Sequence, residues 1–332
     1  MFFKHAVILL RNSGHEIICT SREYREAIEL ARIKKLDLTV IGSHGGADRY
    51  DKLRESANRT YKLAEMIRRF GPDIAVSFSS PEGSRVAFGL GIRHIGFNDS
   101  PHAEAVAKLT IPLTSKLYCP WVIPYAAWSG YGIAKKNIIQ YRALDPAAWL
   151  KHDDAPETDQ PKENKNMILV RLEESKASYI ADKKVGSAKL IDSLINELWQ
   201  SANIVVLCRY EDQITEVESY YGDKVRVVKD VVNGTELIKS SQLFIGAGGT
   251  MTAEAALLGK PTISIAPIQF YIENYLIKTR LVKRVSNSRS LVRLCMKMIS
   301  DHKYAHAQKK MAAQILGGME DPTERMIRAL RL

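Results

Sequence analysis

The sequence contains only four cysteines among its 332 residues, and they lie far apart along the chain. They form no C-x-x-C pair, which argues against a zinc site and against a framework of disulfides. This cysteine usage is typical of a protein of the reducing cytosol, so we expect a cytoplasmic location. Nowhere in the sequence do His, Cys, Asp and Glu have the spacing of metal ligands. We therefore expect no metal site and no tightly bound cofactor.

The chain also lacks an apolar run long enough to cross a membrane. Its apolar start is uninterrupted only from Ala6 to Leu10, which is too short for a signal-peptide core or a spanning helix. The sequence has no low-complexity tract and no short internal repeat. Such a chain is expected to be globular, and its length suits two domains better than one.

Basic residues outnumber acidic residues, and the formal net charge is +11. Most of the excess lies in residues 278–332, which carry 13 Lys and Arg against 4 Asp and Glu. Few aromatic residues are interleaved with these basic residues, which disfavours nucleic acid as a partner. Two interpretations stay open: solvated helix faces, or a peripheral contact with the anionic inner surface of a membrane. The sequence predicts no oligomeric state.

Helix and strand signals alternate along the chain. In the first half they predict strands at 16–20, 38–42, 73–78, 94–97 and 116–119, with helices between them that include 22–34 and 49–70. In the second half they predict strands at 167–171, 204–208, 225–228, 243–246 and 262–266. Such alternation is typical of parallel sheets with helices on both faces. The predicted fold class is α/β, with two tandem doubly wound, Rossmann-like domains.

A polar stretch at 151–166 interrupts the alternation and marks a domain boundary. We predict an N-terminal domain at 1–148, a linker or loop at 149–166, and a C-terminal domain at 167–318. The remaining residues, 319–332, are predicted to form a helix that packs back on the first domain. Tandem domains of this type bind ligands in the cleft between them, at the carboxyl ends of the strands.

The most informative segment is 242–266, where a short apolar run ends in glycine and a helical stretch follows. Gly248 and Gly249 then lie at the start of a helix. Unpaired N–H groups and the helix dipole attract an anion to such a position. We predict that the diphosphate of a nucleotide binds there. A tight turn that binds no ligand is the alternative interpretation.

Three further residues define this helix. Thr250 is the predicted N-cap and Gly259 the residue just past the C-terminus, which places Glu254 at the fourth helical position. The Glu254 carboxylate shares a face with Thr250 and could accept both hydroxyls of a ribose. Arg171, at the end of the strand 167–171, could neutralise the diphosphate. The predicted nucleotide contacts are Gly248, Gly249, Thr250, Thr252, Glu254 and Arg171.

Polar side chains also follow the strands of the first domain. Asp99 and His102 come after strand 94–97, and either is a candidate general base. Glu82, in the first turn of a helix, is the third catalytic candidate. Local structure is the alternative for each: an N-cap or turn for Asp99, a surface position for His102, and pairing with Arg85 for Glu82. The predicted contacts with the rest of the ligand are Ser79, Ser80, Asn98 and His44.

Four sequence blocks resemble one protein family. They read G-H-E-I-I-C-T-S-R-E-Y (14–24), F-S-S-P-E-G-S-R-V-A-F-G-L-G-I (78–92), F-N-D-S-P-H-A (97–103) and G-G-T-M-T-A-E-A-A-L-L-G-K-P (248–261). In this order they resemble a prokaryotic family of domains of unknown function, number three hundred and fifty-four. The segment around Glu254 is also similar to the nucleotide-sugar site of two-Rossmann-domain (GT-B type) glycosyltransferases and of non-hydrolysing UDP-N-acetylglucosamine 2-epimerases. The resemblance implies a GT-B type fold with an inter-domain cleft.

The start of the chain departs from the family pattern. Members of the family usually open with a strand and an Asn-Pro-Pro-His-like turn, whereas this sequence starts directly at the helix with Met1, Phe2 and Phe3. We therefore expect the first strand of the N-terminal domain to be missing. Either the start site is assigned too late, or a central strand is lost, which would expose a sheet edge and affect activity.

Together these features predict a glycosyltransferase-like protein whose substrate is a nucleotide-diphospho-sugar, and a UDP-sugar above all. It would transfer the sugar to an acceptor in polysaccharide or glycolipid synthesis. Two alternatives stay open. One is a 2-epimerase, in which Glu82, Asp99 and Glu173 supply carboxylates around the sugar. The other is a catalytically silent protein that binds a nucleotide-sugar.

Overall fold

The computed structural model describes residues 1–46, 48–153, 166–173, 187–208 and 210–330. The chain divides into two compact units, one of Met1–Asp145 with Glu320–Leu332 and one of Pro146–Met319. The predicted linker at 149–166 is described only in part, because residues 154–165 lie outside these ranges. Its first residues, predicted as a loop, belong instead to a short helix, Ala147–Leu150.

The first unit alternates helices and strands. Its elements are α1 (Lys4–Asn12), β1 (Thr20–Glu23), α2 (Arg25–Ile33), β2 (Thr39–Ser43), α3 (Arg49–Phe70), β3 (Ile74–Phe78), α4 (Pro81–Gly89), β4 (Arg93–Phe97), α5 (Glu104–Thr110), β5 (Lys116–Pro120), α6 (Ala126–Ser129) and β6 (Ile138–Tyr141). Among the described residues, β1 and β2 form one parallel sheet, and β3, β4, β5 and β6 form a second parallel sheet in that order.

The second unit contains one parallel sheet of six strands within its described part. Its elements are α7 (Ala147–Leu150), β7 (Met167–Arg171), α8 (Ser187–Leu198), β8 (Asn203–Leu207), α9 (Glu211–Tyr221), β9 (Arg226–Val228), α10 (Gly234–Ser240), β10 (Leu243–Gly246), α11 (Thr250–Leu257), β11 (Thr262–Ser264), α12 (Tyr271–Lys278), β12 (Val282–Arg284), α13 (Ser288–Ser300) and α14 (His302–Gly317). The strand order is β12-β11-β10-β7-β8-β9. The chain then returns to the first unit with α15 (Pro322–Leu330), which contacts α1.

The middle of the second sheet is formed by its most apolar strands. β7 reads M-I-L-V-R, and Ile168, Leu169 and Val170 are fully buried because helices cover both faces. β10 pairs with β7 in parallel, and Gly246 lies opposite Arg171. The carboxyl ends of these two central strands therefore lie side by side, and the residues that follow them share one edge of the sheet.

The long helix α3 shows how local signals set an element. The Asp48 side chain accepts a hydrogen bond from the Asp51 N–H at 2.9 Å, which caps the start of the helix. Gly71 ends the helix in the left-handed conformation, with φ of +64°. The observed bounds, Arg49–Phe70, are those that the sequence predicts.

The parallel α/β class is confirmed, but several elements differ from the prediction. The strand predicted at 16–20 is β1 at Thr20–Glu23, because pairing with β2 starts where Thr20 lies opposite Thr39. The helix predicted at 22–34 accordingly begins at Arg25. The sequence pattern does not predict β6 or β12, since I-I-Q-Y and V-K-R lack an apolar run of strand length.

Membrane-spanning segments and disulfides were the two features that composition argued against. No helix in the described part of the chain is long and apolar enough to span a membrane. All four cysteines are free thiols, and Cys119, Cys208 and Cys295 are buried.

A buried histidine makes the first unit sensitive to acid. His94, on β4, is 1% exposed, and its ring nitrogens are hydrogen-bonded to Ser77 Oγ at 2.9 Å and to Thr114 Oγ1 at 3.3 Å. Burial lowers the pKa of His94 from 6.5 to about 4. Between these values the unfolded chain binds a proton that the folded chain does not, so stability falls as the pH drops from 6.5 to 4. The expected loss is about 3 kcal/mol.

Urea unfolding at pH values from 7 to 4 measures this loss. In His94→Gln the side chain keeps a hydrogen-bonding amide but does not titrate, so that part of the pH dependence should disappear. Carboxylates contribute equally to both proteins, which makes the difference between the two curves specific to His94. Parallel curves for the wild type and the variant would show that His94 is not the acid-sensitive group.

Candidate functional site

The turn between β10 and α11 lies at the carboxyl edge of the second sheet. The Ala247 N–H donates to the Arg171 carbonyl at 3.2 Å, which holds the start of the turn beside the end of β7. α11 begins at Thr250, so its first N–H groups lie at the same edge. Open α/β sheets bind their ligands at this edge.

Gly248 and Gly249 form the turn with backbone angles that favour glycine. Their φ values are +93° and +80°, and ψ of −167° places Gly249 in a region that is essentially restricted to glycine. A Cβ on Gly249 would meet no atom of the described residues within 4 Å, so the turn faces open space. No side chain caps α11. The backbone N–H groups at its start are therefore placed to bind an anion.

The helix differs from the prediction in its first residue. Gly249, not Thr250, is the N-cap, so α11 starts one residue earlier and Glu254 is its fifth residue. The physical reason is the extended conformation of Gly249, which already provides the turn into the helix. Thr252 Oγ1 donates to the Gly248 carbonyl at 3.1 Å and fixes the turn. Gly259 follows the helix with φ of +74°, as predicted.

Glu254 lies inside the second unit and is 5% exposed. Its Oε1 accepts a hydrogen bond from Trp149 Nε1 at 2.9 Å and another from Thr235 Oγ1. One carboxylate oxygen therefore links α11 to α7 and α10. Glu254 thus has a structural role among three helices. A contact of its carboxylate with a ribose stays a prediction.

Arg171 ends β7 beside the glycine turn. Its Nη1 donates to the carbonyls of Leu207 and Cys208 at 3.1 and 2.8 Å. These bonds fix one end of the guanidinium at the carboxyl end of β8. A guanidinium is a strong donor to phosphate, so Arg171 stays a candidate for neutralising a diphosphate.

A second buried acid near the turn is not among the predicted site residues. Glu273, in the first turn of α12, is 6% exposed, and its Oε1 accepts from Ser264 Oγ. Its Oε2 lies 4.0 Å from the position that a Cβ on Gly248 would occupy. Burial raises the pKa of Glu273, while Ser264 and Arg284 oppose that rise. A carboxyl group this close to the turn would repel a phosphate if it were ionised. If it is protonated, it can instead donate a hydrogen bond to the phosphate. The sequence signal is an acid in a helix that follows a central strand.

In the first unit, the loop after β4 holds the candidate base Asp99. Asn98 is 2% exposed, and its N–H donates to the Tyr118 carbonyl at 3.1 Å. Ser100 connects the loop, because its N–H donates to Asn98 Oδ1 and its hydroxyl donates to Asp99 Oδ1, both at 2.7 Å. α5 begins only at Glu104, so Asp99 does not cap a helix. The alternative interpretation of Asp99 as an N-cap is wrong.

Glu82 is bound to α3. Its Oε1 accepts from Ser56 Oγ at 2.6 Å, and its Oε2 lies 3.8 Å from the Nε of Arg59. Arg59 is itself buried and donates to the Ile41 carbonyl. The charge partner of Glu82 is therefore Arg59 on α3, not Arg85 on the same helix as Glu82. These contacts give Glu82 a structural role between α3 and α4, and a catalytic role stays a prediction.

The two serines after β3 have different local roles. Ser80 is the N-cap of α4, and its Oγ accepts from the Gly83 N–H at 3.1 Å. Ser79 has φ of +53°, which is uncommon for a residue other than glycine, and its Oγ donates to the Phe97 carbonyl at 3.2 Å. Strain of this kind is concentrated at functional sites. A contact of Ser79 or Ser80 with a ligand stays a prediction.

Two histidines complete the predicted set. His44 accepts from the Gly46 N–H at 3.0 Å through Nδ1, and its ring stacks on Tyr24 at 5.4 Å. Burial lowers the pKa of His102, and the negative charge of Asp99 opposes this shift. The described residues include no group of three or more His, Cys, Asp and Glu that could hold a metal ion.

The sequence was compared with models of protein families and with known proteins. The model described as "Protein of unknown function (DUF354)" matches residues 1–330. The chain belongs to this family. The resemblance of the four sequence blocks is thereby confirmed. The Uncharacterized protein MJ0665 of Methanocaldococcus jannaschii is 30% identical over 293 residues, which are 85% of this chain and 83% of that protein.

Solved structures of two kinds resemble the DUF354 chain. The UDP-GlcNAc 2-epimerase of Neisseria meningitidis, bound to UDP-GlcNAc, has a TM-score of 0.71 at 16% identity, covering 99% of this chain and 96% of the epimerase. The spinosyn forosaminyltransferase SpnP has a TM-score of 0.61 at 14% identity, covering 98% of this chain and 94% of that protein. These likenesses confirm the predicted GT-B type fold.

Proposed function

We propose that this DUF354 protein binds a nucleotide-diphospho-sugar, specifically a UDP-sugar, and transfers the sugar to an acceptor. The observation that carries the proposal is the uncapped start of α11 behind Gly248 and Gly249. Here backbone N–H groups, a helix dipole and open space coincide at the carboxyl edge of the sheet. The sugar nucleotide is the substrate, and the proposal requires no tightly bound cofactor.

Uracil as the base is supported by proteins of the same fold. The Neisseria meningitidis epimerase was solved with UDP-GlcNAc, and a Staphylococcus aureus protein, MnaA, with UDP. The diphosphate is the part of such a ligand that the glycine turn fits. In this proposal Arg171 neutralises the charge that develops on the diphosphate when the sugar leaves.

Transfer fits the acids of the first unit better than epimerisation does. An inverting transferase needs one general base for the acceptor hydroxyl, and Asp99 is available for that role. Epimerisation by elimination and re-addition needs more than one acid or base around the sugar. Of the three carboxylates considered for it, Glu82 is bound to Ser56 and Arg59. We therefore propose transfer, with Asp99 as the base.

One observation keeps epimerisation as a second candidate. Glu173, two residues past β7, has a buried Oε2 that no donor among the described residues reaches, and burial raises the pKa of this carboxyl. A carboxyl group with a raised pKa, close in the chain to the end of β7, is the kind of group that can protonate a leaving oxygen or a carbanion.

Nucleotide binding is tested first, by thermal denaturation with UDP, UDP-sugars and the corresponding ADP, GDP, CDP and dTDP compounds. A ligand specific for the folded state should stabilise it by about 2.7 kcal/mol at a hundred times its dissociation constant. We expect this effect with UDP and a much smaller effect with uridine, which lacks the diphosphate. Stabilisation by no nucleotide would contradict the proposal.

The reaction is tested in heavy water with the UDP-sugar that stabilises the protein best. Epimerisation at C2 breaks a C–H bond, so the recovered sugar would carry deuterium without any acceptor. Transfer leaves that bond intact and consumes the UDP-sugar only when an acceptor is present, releasing UDP. Deuterium at C2 would contradict the proposed transfer and show that the protein is an epimerase. Binding without either reaction, across a panel of acceptors, would identify a catalytically silent binding protein.

A further inference from the structure

Asp145 is the most deeply buried acid of the first unit, and it interacts with the candidate base Asp99. Asp145 is 4% exposed and Tyr141 is fully buried. Tyr141 donates its hydroxyl hydrogen to Asp145 Oδ1. The other oxygen, Oδ2, is also buried, and no hydrogen-bond donor among the described residues reaches it. An ionised carboxylate in this position would leave half of its charge without a partner.

The strand order brings Asp145 toward Asp99. Asp99 follows β4 and Asp145 follows β6, and both strands pair with β5 in parallel. The Tyr141 ring lies 6.3 Å from the ring of Phe97, the last residue of β4, measured between centroids. Asp99 and Asp145 therefore come from the same edge of one sheet, and their carboxyl groups interact directly.

No positively charged group of the described residues acts on Asp145. The groups that act on it or on Tyr141 are the phenol of Tyr141, the carboxyl of Asp99 and the thiol of Cys119. Burial, the charge of Asp99 and a hydrogen bond to Asp99 raise the pKa of Asp145 well above its usual value. Burial also raises the pKa of Tyr141 well above its usual range and that of Cys119 to about 12. Tyr141 and Cys119 thus keep their protons at neutral pH.

We propose that Asp145 is a neutral carboxylic acid that donates its proton in a hydrogen bond to the Asp99 carboxylate. This donor accounts for the buried Oδ2, which has a partner only when it carries hydrogen. Two carboxyl groups can share such a bond only if one of them is protonated. Asp145 is then a positioning residue: Tyr141 orients it, and it fixes the direction of the Asp99 carboxyl group. The inference rests on the proposed function only where it makes Asp99 the base.

The protonation state is measured without any turnover, by carbon-13 NMR of protein labelled at the aspartate carboxyl carbons. The Asp145 signal is assigned by its absence from Asp145→Asn. We expect the chemical shift of a protonated acid at pH 7. In Asp99→Asn, which removes the neighbouring charge, the same carboxyl should lose its proton at a lower pH than in the wild type. The proposal would be overturned if Asp145 were ionised at pH 7. It would also be overturned if Asp145 lost its proton at the same pH in Asp99→Asn as in the wild type.

The effect on the base is measured from kcat and KM at a fixed pH. In Asp145→Asn the amide can still accept from Tyr141 and donate to Asp99, so both constants should stay close to those of the wild type. In Asp145→Leu the donor is lost, and kcat should fall by about ten-fold or more while KM changes little, because the base is no longer oriented. An unchanged kcat in Asp145→Leu, or an equal loss in both variants, would refute the positioning role. If no activity is found at all, the proposed function fails, and the NMR result still decides the state of Asp145.

Discussion

Replacement of Gly249 by alanine is expected to weaken nucleotide binding by about a hundred-fold or more. The methyl group would enter the open space in front of α11, where we propose that the diphosphate approaches the backbone. Two charge-assisted hydrogen bonds from N–H groups are worth about 1.5–3 kcal/mol each, and their loss corresponds to at least that factor. The alanine would also carry backbone strain of about 1–3 kcal/mol, because φ of +80° with ψ of −167° suits only glycine.

Gly132 offers a matched control for this variant. It has the same φ of +80°, and a Cβ there would also meet no atom of the described residues within 4 Å. It lies in the first unit, whereas the glycine turn at 248–249 lies in the second. Isothermal titration with UDP should therefore show wild-type affinity for Gly132→Ala and a large loss for Gly249→Ala. Equal affinities for the two variants would mean that the glycine turn does not bind the diphosphate.

Replacement of Glu254 by alanine is expected to lower the free energy of unfolding by about 4 kcal/mol. The change leaves Trp149 Nε1 and Thr235 Oγ1 without their shared acceptor, and each unsatisfied buried donor costs about 1–3 kcal/mol. Urea unfolding of both proteins measures the loss. An unfolding free energy close to that of the wild type would show that the three-helix contact contributes little.

Glu254→Gln separates this structural role from the predicted ribose contact. The amide oxygen can still accept from Trp149 and Thr235, so the variant should lose less than half as much stability as Glu254→Ala. Its second position is an NH₂ group, which cannot accept hydrogen bonds from ribose hydroxyls. Reduced UDP affinity with nearly intact stability would support the ribose contact. Unchanged affinity would leave Glu254 as a purely structural residue.

Local sequence signals located the glycine turn before α11 and most of the strands. The glycines before α11 and Gly259 after it mark the helix, because each satisfies a backbone requirement that few other residues meet. The same signals misplaced β1 and missed β6 and β12. Those strands are short and partly polar, and they exist because a neighbouring strand pairs with them.

The partners of the acids were beyond the reach of sequence patterns. Glu254 accepts from Trp149, which is 105 residues away along the chain, and Glu82 accepts from Ser56, which is 26 residues away. Neither pair has a spacing that a helix or a strand would produce. The likeness of Glu254 to a ribose-binding glutamate gave no indication that the side chain also joins three helices.

The sequence by itself determined the α/β class, the well-capped helices and the glycine turn, because helix caps, turns and apolar periodicity act between residues close in the chain. Family membership followed from the same blocks of sequence. Only the tertiary structure decided which carboxylates are structural and which are available for chemistry. It paired Glu82 with Arg59 and placed Asp145 behind Asp99. The protonation state and the freedom of a carboxyl depend on burial and on nearby charges, and both are set by the order of the strands.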